Sequence, residues 1–334
     1  MLELKDICKS YHRQPFLEHI SLSLKQGTMY ALAGSHATGK TTLLQILAGL
    51  IPPDSGEILW EQKPLQPASR QLSLLTGYLP EYYSFYDHLT VYEYLEYFCA
   101  FYRIYGLKAR CRCKTLLEQL ELTEYKDTPA AFLPTSLQQS LQLARTVLHD
   151  PPVILIDNIN QNMDTHTRLL TQNFLTRLTE EGKILILATR ILSGIPALAK
   201  EIGFIQNGRI QMSGSLEKLQ ARLKAAAPLR IHVCAQADAA YTLLYQHPFV
   251  RTLSRDNHTF SVELIVDYRM SQTPGKGLPL TTPIDLSIEM AESKLLSDLI
   301  EADIPVTAFY RETANYDQLF TQMQEVSHVQ KSCL

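Results

Sequence analysis

The chain has 334 residues, of which 46% are hydrophobic and 19% charged, and its formal net charge is −3. This length and composition predict about two globular domains with separate cores, and the charge gives no basis for direct nucleic-acid binding. No apolar run approaches the ~20 residues that span a bilayer, and the N-terminal sequence has no signal-peptide pattern. We therefore expect a cytoplasmic protein that reaches a membrane only through a partner.

Strand and helix patterns alternate over the first two thirds of the chain. The predicted strands are residues 27–34, 153–157 and 183–189; a helix is predicted at 39–50 and a hairpin turning at Asn207-Gly208 at 203–214. Alternation of this kind predicts an α/β fold with a mostly parallel sheet covered by helices. Between about residues 85 and 150 the pattern is mainly helical, which indicates an inserted helical subdomain.

A domain boundary is predicted near residues 224–230, where the strand and helix pattern starts again. The segments LRIHVC, TFSVELIV and PVTAFYR have strand patterns, whereas AAYTLLYQ, SKLLSDLIEA and a final YDQLFTQMQE have helical ones. Residues 270–283 are rich in turn formers and predict a surface loop. The domain limits are therefore expected at 1–222 and 229–334, the second being a small α+β domain.

Cysteines are scattered along the chain, and only Cys111 and Cys113 lie close together. A single C-x-C without a second pair is a weak metal motif. Reduced cytosolic thiols are the expected state of the cysteines.

The strongest motif is GSHATGKTT at residues 34–42, which fits G-x-x-x-x-G-K-[ST] between a predicted strand and a predicted helix. Gly34 and Gly39 let the backbone N–H groups point inward at phosphate oxygens, and the helix N-terminus adds partial positive charge. Lys40 is expected to reach the β- and γ-phosphates and Thr41 to bind Mg²⁺. Ala37 stands where many such loops carry a further glycine.

A second motif, VILIDNINQNMD at residues 153–164, brings a carboxylate to the end of a buried strand. Asp157 is the expected partner of the Mg²⁺ ion. The next residue is Asn158, although a nucleotide-hydrolysing site calls for a second carboxylate there to activate water. An amide can orient a water molecule but cannot accept its proton.

Residues 1–220 resemble, in order, the nucleotide-binding subunits of ABC transporters. Tyr11 is similar to the aromatic residue that stacks on adenine, residues 34–42 to the Walker A loop, and residues 76–95 to the Q-loop region, with Glu81 at the glutamine position. Residues 132–151 occupy the signature segment, residues 153–164 Walker B and the D-loop, and residues 185–196 the switch-histidine region. The C-terminal part resembles the appended domain of drug-, polyketide- and gliding-type exporter subunits.

The resemblance implies a P-loop NTPase cassette with a mixed sheet and a helical subdomain, binding ATP and Mg²⁺. The implied nucleotide-binding residues are Tyr11, Gly34, Ser35, His36, Ala37, Thr38, Gly39, Lys40, Thr41 and Thr42, and the implied metal ligands are Thr41, Glu81 and Asp157. The implied partners are an integral membrane permease and a second nucleotide-binding subunit, identical or different. Such a complex would hold the chain at the inner face of the cell membrane.

Four departures from the family pattern affect turnover. The signature L-S-G-G-Q is replaced by Leu133 to Leu137, which puts Pro134 in place of the serine; Ser136 is expected to cap the following helix. The general base is replaced by Asn158 and the switch histidine by Arg190, whose guanidinium stays protonated. The D-loop keeps only Asp164. We expect retained nucleotide binding with weak or absent hydrolysis, with Glu81 as an unfavoured substitute base.

An aromatic-rich stretch covers residues 81–106, where the family forms the groove for the permease's coupling helix. We assign the first aromatic residues to that interface: Tyr82, Tyr83, Phe85 and Tyr86. Helical spacing assigns the later ones to the subdomain core: Tyr94, Tyr97, Phe98, Phe101, Tyr102 and Tyr105.

Two alternatives to the degenerate transport subunit stay open at this stage. The chain could be an active ATPase that tolerates its unusual motifs, which steady-state phosphate release distinguishes. It could also be a non-transport ATP-dependent regulator or scaffold, but soluble members of that kind usually carry two cassettes in one chain.

Overall fold

The computed structural model describes residues 1–158, 163–190, 199–215, 228–264 and 288–311. The chain divides into two compact units, Met1–Leu216 and Glu217–Leu334. The predicted loop at residues 270–283 and the predicted final helix lie outside the described residues. Within the part that is described, no helix has the length and apolar character needed to cross a bilayer.

The first unit contains two sheets and six α-helices within its described residues. In chain order the elements are β1 (Leu2–Tyr11), β2 (Gln14–Leu24), β3 (Met29–Ala33), α1 (Lys40–Leu47), β4 (Ser55–Trp60), β5 (Lys63–Leu65), α2 (Arg70–Leu75), β6 (Thr76–Leu79), α3 (Val91–Phe101), α4 (Gly106–Gln119), α5 (Thr135–Val147), β7 (Val153–Asp157), α6 (Thr165–Glu180), β8 (Ile184–Thr189), β9 (Glu201–Gln206) and β10 (Arg209–Ser215).

The larger sheet has the strand order β10-β9-β3-β8-β7-β6, in which only the β9–β10 pair is antiparallel. Every residue of β3 and β7 is buried, as expected for parallel strands with both faces covered. The predicted hairpin is confirmed, because Asn207 and Gly208 join β9 to β10 with φ values of 49° and 72°, the left-handed conformation of a type I′ turn.

The smaller sheet is antiparallel, with the order β2-β1-β4-β5, and it was not predicted from the sequence. Strands β1 and β2 pair with register shifts between Leu4 and Ile7 and between Ile7 and Lys9. Such bulges interrupt the alternation of buried and exposed residues from which a strand is recognised. Side chains of both sheets and of α1 share one core.

The expected helical segment between residues 85 and 150 contains α3, α4 and α5, with two 3₁₀ turns at Thr123–Tyr125 and Ala130–Phe132. Thr90 and Glu93 form a capping box that fixes the start of α3. The two cysteines of the C-x-C are separated on α4, because Cys113 is buried beside Cys99 and Cys111 is exposed. They therefore cannot share one metal ion.

The second unit has a four-stranded antiparallel sheet and, among its described residues, two helices. Its elements are β11 (Leu229–Val233), α7 (Ala237–Gln246), β12 (Val250–Asp256), β13 (Thr259–Leu264), α8 (Ile288–Glu301) and β14 (Val306–Arg311). The strand order β12-β13-β11-β14 with this succession of elements is the split βαβ arrangement of ferredoxin-like domains. The described residues thus form an α+β unit with its own core, as expected.

Candidate functional site

The phosphate loop joins β3 to α1, and two of its glycines are required by their surroundings. A Cβ atom on Gly34 would lie 2.7 Å from the Ile205 carbonyl oxygen, and one on Gly39 would lie 2.4 Å from Leu17 Cδ2. Gly39 also has a φ of 103°. Ala37 has a φ of 58°, a left-handed conformation that costs a non-glycine residue about 1–2 kcal/mol.

Lys40 lies inside this loop, with only 4% of its surface exposed. Its Nζ donates to the carbonyl oxygens of Gly34 at 2.7 Å and Ser35 at 2.6 Å, and to Thr38 Oγ1 at 3.3 Å. Burial lowers the pKa of Lys40 to about 8, although the charge of Asp157 opposes this shift. The loop therefore concentrates positive charge at a place where the ammonium group is poorly hydrated, which favours an anionic ligand.

The lowered pKa of Lys40 predicts a pH dependence of stability. Between pH 8 and 10.5 the unfolded chain keeps a proton on this lysine that the folded chain has released. The free energy of unfolding is therefore expected to rise with pH in that window, by at most about 1.4 kcal/mol per pH unit. Urea unfolding at pH 7.5, 8.5 and 9.5 should show this rise relative to the Lys40→Met variant. Parallel curves for the two proteins would contradict it.

Asp157 ends β7 beside the loop and is almost fully buried, with 1% of its surface exposed. Neither of its carboxylate oxygens has a hydrogen-bond partner among the described residues. Burial raises the pKa of Asp157, and the nearby Thr41 hydroxyl and the charge of Lys40 lower it. An unpartnered buried carboxylate beside a hydroxyl is a donor set that suits a hard divalent cation such as Mg²⁺.

Asn158, Glu81 and Arg190 are joined in one hydrogen-bonded group. Asn158 Nδ2 donates to Glu81 Oε2 at 3.0 Å, and Arg190 Nη2 forms an ion pair with Glu81 Oε1. The backbone N–H of Asn158 donates to the carbonyl oxygen of Ala188 in β8 at 3.0 Å, and Asn158 has a φ of 51°. Both oxygens of Glu81 are thus engaged, and a role in binding metal or accepting a proton requires release of Arg190.

A cavity of about 140 Å³ connects these groups. Its lining residues are Phe16, His36, Ala37, Thr38, Gly39, Lys40, Thr41, Thr42, Glu81, Asn158 and Arg190. Phe16 was not among the residues predicted from the sequence; its ring packs edge-on against Tyr11 with ring centroids 5.4 Å apart. Phe16 could have been selected from the sequence because it is an aromatic residue close to Tyr11, across the turn between β1 and β2.

The signature segment differs from its prediction at one residue. Helix α5 begins at Thr135 with Pro134 at the N-cap position, so the expectation that Ser136 caps this helix is wrong, because Ser136 already lies within the first turn. Asp164 instead caps α6 and accepts from the Thr167 backbone N–H at 2.9 Å. Hydrogen bonds from Thr167 and then Ser136 lower the pKa of Asp164 to about 2.

The aromatic stretch is more exposed than predicted. Among the residues assigned to the core, Tyr94 is buried and packs against Phe98, but Tyr97, Phe101 and Tyr105 are exposed. Their assignment to the core was wrong because helical spacing does not reveal which face of a helix is covered. Tyr82 and Tyr86, assigned to the interface, are exposed as well. The ring of Tyr97 contacts the rings of Tyr86 and Phe101, and these three residues form an exposed aromatic surface.

Comparison with known proteins identifies the fold around this site. The family profile described as ABC transporter matches residues 17–160, a range that contains the phosphate loop, Glu81, Asp157 and Asn158. Residues 17–160 match an ABC transporter domain. This match confirms the resemblance to ABC transporter nucleotide-binding subunits, which was the basis for selecting the site residues.

Relatives of the cassette include ATP-binding proteins of exporters. The ABC transporter ATP-binding protein YxlF of Bacillus subtilis, itself uncharacterised, is 25% identical over 327 residues, covering 97% of this chain and 99% of YxlF. The Nod factor export ATP-binding protein I of Ralstonia nicotianae is 27% identical over 219 residues, covering 66% of this chain and 68% of that protein.

Solved structures confirm the predicted fold class of the cassette. An ATP-binding subunit of an ABC transporter matches with a TM-score of 0.62 at 24% identity, covering 67% of this chain and 93% of that structure. A dimeric ATP-binding cassette in a post-hydrolysis state, bound to ADP and Pi, matches with a TM-score of 0.58 at 24% identity, covering 65% of this chain and 99% of that structure.

Proposed function

We propose that the chain binds Mg-ATP as a subunit of an ABC transporter complex and hydrolyses it slowly or not at all. The observation that carries the proposal is the engagement of Glu81 by Asn158 and Arg190. An amide and a guanidinium stand where a proton acceptor and the switch histidine are expected, and the carboxylate of Glu81, which contacts both, forms an ion pair with Arg190.

The residues needed to hold the nucleotide support the binding half of this proposal. Lys40 supplies a buried positive charge, and the N-terminus of α1 supplies backbone N–H groups for phosphate oxygens. Thr41 and Asp157 would hold Mg²⁺, which supplies charge neutralisation for the phosphates when bound. Tyr11 would stack on the adenine with one face of its exposed ring.

The absence of a general base at position 158 supports the proposal that hydrolysis is slow or absent. Positioned general-base catalysis contributes about 10²- to 10⁴-fold to a rate, and Asn158 can only orient water. Arg190 can form bidentate hydrogen bonds to phosphate, so the substitution at position 190 favours retention of ATP over turnover. We propose that bound ATP links this subunit to a second nucleotide-binding subunit, which supplies the hydrolysis.

Coupling to a permease is proposed from the exposed aromatic surface. Tyrosine and phenylalanine side chains are enriched at protein interfaces because they bury a large apolar area at low entropic cost. Tyr97 packs edge-on against both Tyr86 and Phe101, with ring centroids 5.5 and 5.2 Å apart. These rings therefore form one continuous patch, which suits the coupling segment of a membrane partner.

The test is a paired measurement on the purified full-length chain. We expect saturable binding of ATP in the presence of Mg²⁺, measured by calorimetry. We also expect steady-state phosphate release at least about 100-fold below that of a catalytically complete cassette assayed in parallel. Comparable phosphate release would overturn the catalytic half, and absence of ATP binding would overturn the whole proposal.

A further inference from the structure

A cluster of Asp6, Cys8 and His19 lies on the paired strands β1 and β2, among residues that the nucleotide site does not use. One side-chain atom from each residue, the carboxylate oxygen, Sγ and Nδ1, lies within 4.8 Å of the other two. His19 Nδ1 lies 2.6 Å from Asp6 Oδ1 and 3.9 Å from Cys8 Sγ. From this geometry we propose that the cluster binds a divalent zinc ion.

The irregular pairing of β1 and β2 brings the three side chains together. Ile7 lies opposite Ile20 and Lys9 lies opposite Leu17, so that two residues of β2 face the single residue between them in β1. This bulge turns His19 toward Cys8, and the backbone N–H of His19 donates to Cys8 Sγ at 3.3 Å. The backbone of Asp6 is also fixed to β2, because its N–H donates to Ser21 Oγ at 3.0 Å.

The donor set determines which metal the cluster fits. A thiolate, an imidazole nitrogen and a carboxylate are all common zinc ligands, and three protein ligands with water in the fourth position complete a tetrahedron. Calcium and magnesium prefer sites built from oxygen alone. Ordinary zinc bond lengths in a tetrahedral site place nitrogen about 3.4 Å from oxygen and about 3.6 Å from sulfur. The two separations from His19 Nδ1, 2.6 and 3.9 Å, differ from those values by less than about 1 Å.

Exposed side chains can move their ligand atoms by the distance that zinc binding requires. The side chains of Asp6 and His19 are 64% and 65% exposed, so rotation about their side-chain bonds meets little packing resistance. Binding would replace the hydrogen bond between His19 and Asp6 and the proton of the Cys8 thiol. The ion would thus be held at an accessible surface position with one coordination site open to water.

Backbone conformation explains the residue types at Asp6 and His19, but it does not explain the cysteine at position 8. Asp6 and His19 have φ values of 55° and 52°, and aspartate and histidine are among the residues that tolerate this left-handed conformation. Cys8 is under no such requirement. Its thiol, placed between a carboxylate and an imidazole, is the feature that distinguishes the cluster from an ordinary pair of turn-forming residues.

The ion would stabilise the strand pair that carries the predicted adenine-stacking residue. Tyr11 ends β1 and pairs with Gln14 at the start of β2, so a link between Cys8 and His19 restrains the same pair of strands. Zinc is therefore expected to raise the melting temperature of the full chain, because a ligand that binds only the folded state stabilises it.

The experiment measures zinc binding by the tag-free full-length chain through competition with a chromogenic chelator. We expect one zinc ion per chain in the wild type and a loss of affinity of at least tenfold in Cys8→Ser and in His19→Asn. The asparagine variant keeps a residue that tolerates the left-handed backbone while removing the imidazole. Cys111→Ser and Lys40→Ala should bind zinc as the wild type does, which separates this cluster from the C-x-C and from the phosphate loop.

Cobalt provides an independent reading of the ligands. The wild type loaded with Co²⁺ should show a thiolate-to-metal charge-transfer band that Cys8→Ser lacks. Melting curves without metal establish that each variant is folded; should His19→Asn fail to fold, the cobalt spectrum of the near-isosteric Cys8→Ser variant decides. Absence of stoichiometric zinc binding by the wild type, or wild-type affinity in folded Cys8→Ser, would overturn the proposal.

Discussion

Phosphate release is expected to rise by about 10²- to 10⁴-fold when Asn158→Glu is combined with Arg190→His. The glutamate supplies a proton acceptor at the end of β7, and the histidine removes the guanidinium that neutralises Glu81. This gain corresponds to about 3–5 kcal/mol of activation free energy. It is measured as steady-state phosphate release at saturating Mg-ATP, with each single variant assayed beside the double one.

Glu81 is expected to limit the gain in phosphate release of the double variant. Asn158 Nδ2 lies 3.0 Å from Glu81 Oε2, so a glutamate at position 158 would put two carboxylates side by side after the guanidinium has gone. Such a pair holds one proton with a raised pKa, which would weaken the new base at neutral pH. We therefore expect the triple variant that adds Glu81→Gln to exceed the double variant, because an amide can donate to the new carboxylate.

The outcome also separates two causes of slow turnover. Should neither variant gain activity while both still bind ATP, Asn158 and Arg190 would not be the limiting residues. The signature segment would then be responsible, because Pro134 lacks an N–H group and Thr135 and Ser136 have side chains where close-approach glycines are expected. High phosphate release by the unmodified chain would contradict the proposal that it hydrolyses ATP slowly or not at all.

The sequence was sufficient to predict the elements whose patterns are continuous. Strands β7 and β8 are uninterrupted apolar runs because helices or strands cover both of their faces, and Asn207-Gly208 specifies its turn through backbone conformation alone. Strands β1 and β2 have irregular pairing and contain left-handed residues such as Asp6 and His19. Their period of two is broken, and the smaller sheet was therefore missed.

The residues of the candidate site were selected from sequence motifs, but the hydrogen bonds that join three of them could not be predicted from the sequence. Glu81 lies 77 residues from Asn158 and 109 residues from Arg190 in the chain, and their meeting depends on how the strands β6, β7 and β8 are ordered in the sheet. The exposure of Phe101 was missed for a related reason. Its spacing from Tyr97 fits one helix face, but only the packing of the whole subdomain decides whether that face is covered.

Lys40→Ala is expected to weaken ATP binding by at least about 100-fold while the chain stays folded. Hydrogen bonds to a charged group contribute about 1.5–3 kcal/mol each, and Lys40 is expected to contact two phosphate groups. Its ammonium group is buried and donates to the carbonyl oxygens of Gly34 and Ser35. Folding of the loop therefore already removes much of the hydration of Lys40, and alanine at this position loses the attraction to the phosphates.

A lysine outside the cavity provides the matched control. Lys183 is also largely buried and forms an ion pair with Asp150 at 2.6 Å, but it does not line the cavity. Lys183→Ala should lower the free energy of unfolding and leave ATP affinity unchanged. Lys40→Ala should lower ATP affinity and raise the free energy of unfolding at pH 7, because it removes a charge whose burial disfavours folding. Calorimetric titration of ATP and urea unfolding of both variants measure the two effects. Equal ATP affinity in Lys40→Ala and the wild type would remove residues 34–42 as the phosphate-binding loop.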